Sequence, residues 1–359
     1  MAARALIGAL LLLAGSAAGA PFQRGVALGL YSEDPHWSYA GLLREIRDLG
    51  ASHVSLVVAY YQHDATSTDI GPHPRFTAPD EAVVTAIRQA HRLGLQVMLF
   101  PILRLSHPRT AGEWRGTLVP RDVDAWWHSY GRLLLHLSRL AARERVAVLS
   151  VGSELSTLDG DRGRWQALIR QVRAVFSGTL TYSGNWDHFE EVAIYDLVDL
   201  MGVCAYFALS KGEGRPEVED LIAAWQGPRE RMERLAARLG RPLLLTEVGY
   251  PSQAGAAARP WDERAQAPVD LEEQRRLYEA FRRVWLGVPH VSGAYFWNWF
   301  GWGGPASPAY TPRGKPAARE IQIFFHEIKK IDQMMPTLPQ LPQKQLRSSR
   351  ARLTRSPPL

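Results

Sequence analysis

Eight times along this chain an apolar, β-branched run is followed by a stretch of helical periodicity, and that alternation leaves few folds open. The runs lie at 25–31, 53–61, 95–103, 146–152, 179–186, 196–207, 242–250 and 291–300. The helical stretches lie at 39–49, 80–93, 122–142, 164–176, 188–195 (the weakest), 218–239, 271–285 and 317–330. Runs this apolar fit strands buried on both faces, which is the habit of parallel sheets. Parallel strands joined by right-handed crossovers can close after eight into a ring that leaves no edge strand. The pattern therefore predicts an α/β protein built as a single (β/α)8 barrel over residues 22–330. Gly94 and Gly240, just before the third and seventh runs, read as glycines that end helices.

Composition sets the limits around that barrel. With 46% hydrophobic and 22% charged residues in 359, the chain can bury a large core, which excludes wholesale disorder and a disulfide-stapled mini-fold. The net charge of +6 invites a nucleic-acid reading, but Lys344, Arg347, Arg350, Arg352 and Arg355 against Asp332 place +4 of it in residues 331–359. The body is left nearly balanced, without an electrostatic footprint for phosphate backbones. The Pro-, Gln-, Ser- and Arg-rich tail reads as a disordered basic segment.

Residues 1–20 read as an export signal: Arg4, an apolar run, then small residues, with cleavage near 18–20. The run is too short to span a bilayer stably. No cysteine follows it for lipid attachment, so the expected location is secreted or periplasmic. Cys204, the single cysteine, sits inside the apolar stretch LMGVCAYF and reads as a buried, inert thiol.

In a barrel of this kind chemistry gathers where the strands end in their C-terminal loops. Those positions hold Tyr31 (run one), Tyr60 and His63 (run two), Arg104 (three), Glu154 (four), Asn185 and Trp186 (five), Tyr206 (six), Glu247 (seven), and Trp297 and Trp299 (eight), with Trp302 just beyond. Glu154 and Glu247 stand out as lone carboxylates closing apolar strands, with no Lys or Arg within four residues of either. A glutamate is rarely buried unless it is paired or functional. Three β/α units apart on a ring of eight, the two can converge across its mouth.

Facing carboxylates, one neutral and one ionised, can cleave a glycosidic bond: one protonates the leaving oxygen and the other attacks the sugar carbon. Trp186, Trp297, Trp299, Trp302 and Tyr206 are expected to line the same mouth, since flat apolar rings suit the C–H faces of sugars. Tyr31, Tyr60 and His63 are further candidates for substrate contact. GxSxG, HExxH, GxGxxG and P-loop motifs are missing from the sequence, and the histidines are scattered; neither cofactor nor metal is expected. The expected partner is a polysaccharide or oligosaccharide bound by a monomer. The competing reading is a non-catalytic carbohydrate-binding protein on a degenerate barrel, which would keep the tryptophans and lose a carboxylate.

The segments VGSEL, TEVGY, WNWF and YTPRGKPA (310–317) resemble those of glycoside hydrolase family 113, within clan A of the retaining glycoside hydrolases. The resemblance spans residues 24–330. It implies β-mannanase-like activity, with Glu154 as acid/base, Glu247 as nucleophile, Tyr206 as hydrogen-bond partner of the nucleophile and Trp297 as a platform under the sugar. Most of the clan places Asn before the acid/base, in contact with the sugar 2-hydroxyl, where this chain, like family 113, has another residue, Ser153. That contact falls to Asn185 or Arg104 as candidates.

Overall fold

The computed structural model describes residues 21–212, 214–262 and 265–334. Residues 1–20, read above as an export signal, and the tail from 335 onward lie outside the described residues. Eight strands close into one barrel in chain order: β1 (Gln23–Gly29), β2 (His53–Gln62), β3 (Gln96–Leu105), β4 (Val148–Ser153), β5 (Thr179–Asn185), β6 (Leu200–Cys204), β7 (Leu243–Val248) and β8 (Val291–Phe296). All pairings are parallel, and β8 returns to β1 with Gln23 opposite Gly293. Closure removes every edge that an open sheet would have to protect.

Seven α-helices surround it among the described residues: α1 (Ala40–Asp48), α2 (Asp80–Arg92), α3 (Val123–Arg143), α4 (Arg162–Val175), α5 (Val218–Leu239), α6 (Leu271–Trp285) and α7 (Ala317–Met334). Their ends follow local chemistry. The Asp122 carboxylate accepts from the Ala125 amide at 2.9 Å to start α3, and Asp270 accepts from Glu272 and Glu273 to start α6. Gly240, at φ +62°, stops α5 in the left-handed region that only glycine adopts freely.

Two expectations need correction. The fifth unit has no α-helix. Residues 188–195 form turns that lead into a single 3-10 turn at Tyr195–Leu197. Phe189, Val192, Ile194 and Tyr195 are all buried there, a spacing that no single helical stripe accommodates. The tail reading began at 331, yet α7 continues to Met334, and Asp332 on its last turn pairs with Arg24 at 3.2 Å.

Alternation along each strand divides the buried side chains between two cores. One set faces the helices; the other, including Val57, Ala59, Met98, Phe100 and Leu244, fills the barrel. The alternation breaks near the C-terminal ends. Register shifts occur between Ser150 and Ser153 on β4 and between Leu245 and Val248 on β7. Strict alternation would put Glu247 on the helix side with Leu243 and Leu245; the extra residue in β7 turns it inward and leaves Val248 in the helix-facing core.

Close strand packing also sets where side chains are excluded. A Cβ on Gly202 of β6 would lie 2.4 Å from the Tyr182 carbonyl oxygen and 2.7 Å from Thr181 Oγ1 on β5. Backbone cannot step aside cheaply, so Gly202→Ala is expected to lower stability by about 1–3 kcal/mol, read as a lower midpoint in urea unfolding.

Candidate active site

Glu154 and Glu247 stand at the carboxyl end of the barrel, both buried at 3% exposure. Glu154 follows the last residue of β4, and its amide donates to the Ser183 carbonyl at 2.8 Å. Its backbone is left-handed, at φ +55°, a conformation that costs a non-glycine residue about 1–3 kcal/mol and that gathers at functional sites. Glu247 is held in β7, whose backbone carbonyl accepts from Ala205 at 2.8 Å. The Tyr206 hydroxyl donates to Glu247 Oε2 at 2.7 Å, and Oε1 of the same carboxylate is buried without a hydrogen-bond partner.

Glu154, without a Lys or Arg within four residues in sequence, has a cation beside it in space. Arg115, from the loop between β3 and α3, donates from Nη2 to Glu154 Oε2. Thirty-nine positions separate the pair, so local sequence gives no sign of it. Arg115 opens a 3-10 turn at Arg115–Thr117, lies 5.5 Å from the Trp114 ring centroid, and leaves its Nε buried without a partner. Gly116 leaves room for the Trp114 ring, since a Cβ there would lie 2.3 Å from it. The loop is tied down by Thr157 Oγ1 donating to the Leu118 carbonyl at 2.7 Å and the Val119 amide donating to Ala65 at 2.9 Å.

Burial, and then the negative charge of Glu154, push the Glu247 carboxyl up to about 7, while Arg115 and the Tyr206 hydrogen bond pull the other way. Cys204 lies below the pair, its Sγ 3.7 Å from Ser153 Oγ and 3.8 Å from Thr246 Oγ1. Burial and the two carboxylates raise its thiol well above the ordinary range, as befits an inert thiol.

The remaining candidates divide. Trp297 packs in the barrel-interior core with Tyr206 and Tyr310, and Trp186 packs against the same core. Trp186 also stacks on Trp261, with ring centroids 4.6 Å apart and planes 17° apart. Trp302 is 98% exposed on the loop after β8. Tyr31 meets the Phe300 ring edge-on at 5.5 Å and carries the exposed Arg104 guanidinium 5.3 Å from its centroid. Asn185 is buried, with its amide donating to Asp187 at 2.7 Å. His63 is an exposed rim residue stacked on His107 at 4.4 Å.

Two candidates face away from the mouth. Trp299 belongs to the helix-facing core and donates from Nε1 to Glu45 of α1 at 2.9 Å, on a carboxylate that Arg313 also holds. Tyr60 likewise faces the helices; Tyr61, one residue on, packs against the barrel interior. At Tyr60 and Tyr61 a one-residue step along the strand reverses the side chain's face, whereas Trp299 lies beyond the end of β8, where strand alternation no longer sets direction. Arg115, Trp261 and the half-exposed Trp37 are mouth or rim residues that sequence reasoning missed. Trp37 was legible only as an aromatic in the loop after β1; it meets Phe300 at 6.3 Å.

Carbohydrate chemistry suits this arrangement: two buried carboxylates with different partners, a phenol on one of them, and indole faces around the opening. Among the described residues no group of three His, Cys, Asp or Glu could hold a metal ion, and no helix is long and apolar enough to cross a membrane.

Comparison with known proteins points the same way. The family model described as Glycoside Hydrolase Family 113 matches residues 32–305. Among solved structures, the family 113 β-mannanase of Alicyclobacillus acidocaldarius, in complex with ManMIm, shares 27% identity at a TM-score of 0.77, covering 87% of this chain and 100% of that one. A family 113 β-1,4-mannanase complex shares 22% identity at a TM-score of 0.77, over 86% of this chain and 99% of that one, a likeness of fold. More distantly, the β-glucuronidase of Faecalibacterium prausnitzii shares the fold at 14% identity and a TM-score of 0.60, over 89% of this chain and 50% of that one. No curated protein matches. A closed eight-stranded barrel with two buried glutamates at its mouth, matched by the family model along most of its length, is an O-glycosyl hydrolase, and this chain belongs to Glycoside Hydrolase Family 113.

Proposed function

We propose that this enzyme is an exported β-mannanase that cleaves β-linked mannan, or oligosaccharides from it, by double displacement with retention of configuration. The observation that carries the reading is the inequality of the two glutamates: Tyr206 donates to Glu247 on β7, while Glu154, three strands away at the end of β4, has a different partner. The activity of the Alicyclobacillus relative supports mannan as the substrate. The leader at 1–20 supports export.

In the first step Glu247 attacks the anomeric carbon as Glu154 protonates the leaving oxygen. In the second, Glu154 takes a proton from water, which then displaces Glu247 from the sugar. Tyr206 fixes Glu247 for the attack. Trp297, in the barrel-interior core beside Tyr206, is the platform under the sugar at the cleavage point. Trp186 with Trp261, and Trp302 with the β8 loop, extend the apolar contact to either side. Trp299 and Tyr60 have no part in it.

Four outcomes follow. Glu247→Ala should abolish hydrolysis of β-1,4-mannan oligosaccharides, and added azide should restore turnover as a glycosyl azide of inverted anomeric configuration; full activity in that variant ends the assignment. Glu154→Ala should slow natural substrates by about 10²–10⁴-fold while sparing an aryl glycoside whose leaving group needs no proton, compared by initial rates. Trp302→Ala should raise KM by up to roughly tenfold, the loss of one ring contact of about 0.5–1.5 kcal/mol. By contrast Trp299→Phe, which strips a hydrogen bond from Glu45, should lower Tm and leave KM unchanged.

A further inference from the structure

Glu154 is held from behind as well as from the mouth. Its left-handed backbone, at φ +55°, persists only where the surroundings fix it. Both peptide groups that flank it are fixed from β5. On one side its own amide donates to the Ser183 carbonyl at 2.8 Å. On the other, the Leu155 amide donates at 3.1 Å to the hydroxyl of Tyr182, so a side chain takes the place of a strand carbonyl. Tyr182 is wholly buried in the helix-facing core. Its hydroxyl donates in turn to Asp159 Oδ2 at 3.1 Å, and Asp159 Oδ1 pairs with His188 Nε2 at 3.1 Å.

We propose, building on the reading of Glu154 as acid/base, that Tyr182 is a positioning residue of this hydrolase. Its hydroxyl, aimed by Asp159 and steadied through it by His188, holds the peptide after Glu154 and thereby sets where the acid/base carboxyl stands. A hydroxyl carries one proton and turns about its C–O bond to suit its partners. With that proton committed to Asp159, a lone pair is left to face the Leu155 amide.

The surroundings are built for this contact. Gly152, two residues before Glu154, lets the phenol lie against β4, since a Cβ there would come within 2.9 Å of Tyr182 Cε2. Trp165 of α4 meets the same ring edge-on, with centroids 5.4 Å apart and planes 73° apart. The Leu155 carbonyl accepts from the Leu158 and Asp159 amides at 2.8 and 2.9 Å, so the turn that begins at Glu154 brings Asp159 back to the Tyr182 hydroxyl. The Asp159 side chain is 2% exposed. Burying a carboxyl so completely is costly unless its hydrogen bonds have work to do. A misplacement of about 1 Å at a reacting group costs on the order of 10²-fold in rate. Loosening the peptide beside Glu154 therefore impairs proton transfer to the leaving oxygen and spares the attack by Glu247, which is carried on β7.

The test compares kcat/KM, which reports the first chemical step, on a β-1,4-mannan oligosaccharide and on its dinitrophenyl β-glycoside, whose leaving group needs no proton. Tyr182→Phe keeps the ring and removes one oxygen. It should lower kcat/KM on the oligosaccharide by about 10- to 100-fold and on the dinitrophenyl glycoside by less than about twofold. Asp159→Ala, which frees the hydroxyl to turn, should show the same contrast more weakly. Asp159→Asn, which keeps an acceptor for the hydroxyl, should recover most of the rate lost in Asp159→Ala. In a Glu154→Ala background Tyr182→Phe should cost nothing further, because the residue it positions is gone. A merely structural role would lower Tm and reduce both substrates in equal proportion, and that result overturns the proposal, as does an unchanged rate on both. Should Tyr182→Phe not fold, Asp159→Ala decides: a wild-type ratio between the two substrates refutes the assignment. Glu154→Ala on the same pair separates the two readings. If it fails to discriminate between the substrates, the acid/base reading falls and takes this proposal with it; if it discriminates and Tyr182→Phe does not, this proposal falls alone.

Discussion

Two carboxylates cannot both stay ionised in a dry barrel mouth unless something positive stands with them. Water, which would screen their repulsion, is largely excluded at 3% exposure for each. The site relieves the repulsion in two ways. Arg115 pairs with Glu154, and burial beside that charge raises the Glu247 carboxyl, which favours its neutral form. Everything else at the mouth refines this arrangement: Tyr206 steadies Glu247, and Trp114 and Gly116 shape the turn that delivers Arg115.

The barrel makes that proximity affordable in structural terms. A closed parallel sheet is rigid, and its strands end together on one face, so side chains from β4 and β7 arrive from fixed directions. Fixed direction alone is insufficient, because period-two alternation would have sent Glu247 toward the helices. The irregular register near the ends of β4 and β7 aims the glutamates inward, and the left-handed backbone of Glu154 completes the turn. The YTPRGKPA segment then closes the structure around β8: Arg313 grips Glu45 of α1, while the buried Lys315 ammonium donates to Ser252 and to the Ala309 carbonyl at 2.7 Å.

How much of this was legible in the sequence depended on the range over which each feature is encoded. Eight strands and seven of the eight expected helices follow from local apolar period, and α5 and α6 begin and end where the pattern places them. The fifth helix failed because 188–195 buries residues in a pattern set by its packing against the barrel, which period alone does not reveal. Both glutamates were visible because an isolated acid in an apolar strand is locally conspicuous. Tyr60 was misplaced because a strand-end residue and its neighbour look alike in sequence and face opposite cores in space, and Trp299 because it lies past the end of β8, where period-two alternation no longer sets direction. Arg115 was invisible: an arginine in a polar loop is ordinary until the fold brings it to an acid 39 positions away.

Charge at the mouth also fits the kind of substrate proposed. Arg115 pairs with one of the two glutamates, which leaves little net charge in the buried set. The affinity of a neutral sugar for such a site comes from ring faces and hydroxyl contacts. Arg104 adds a positive charge only at the exposed rim, where water weakens it. As the glycosidic bond breaks, positive charge grows on the sugar ring. An ionised Glu247 would meet that charge in low dielectric, so the negative charge is worth most in the transition state and least before it forms.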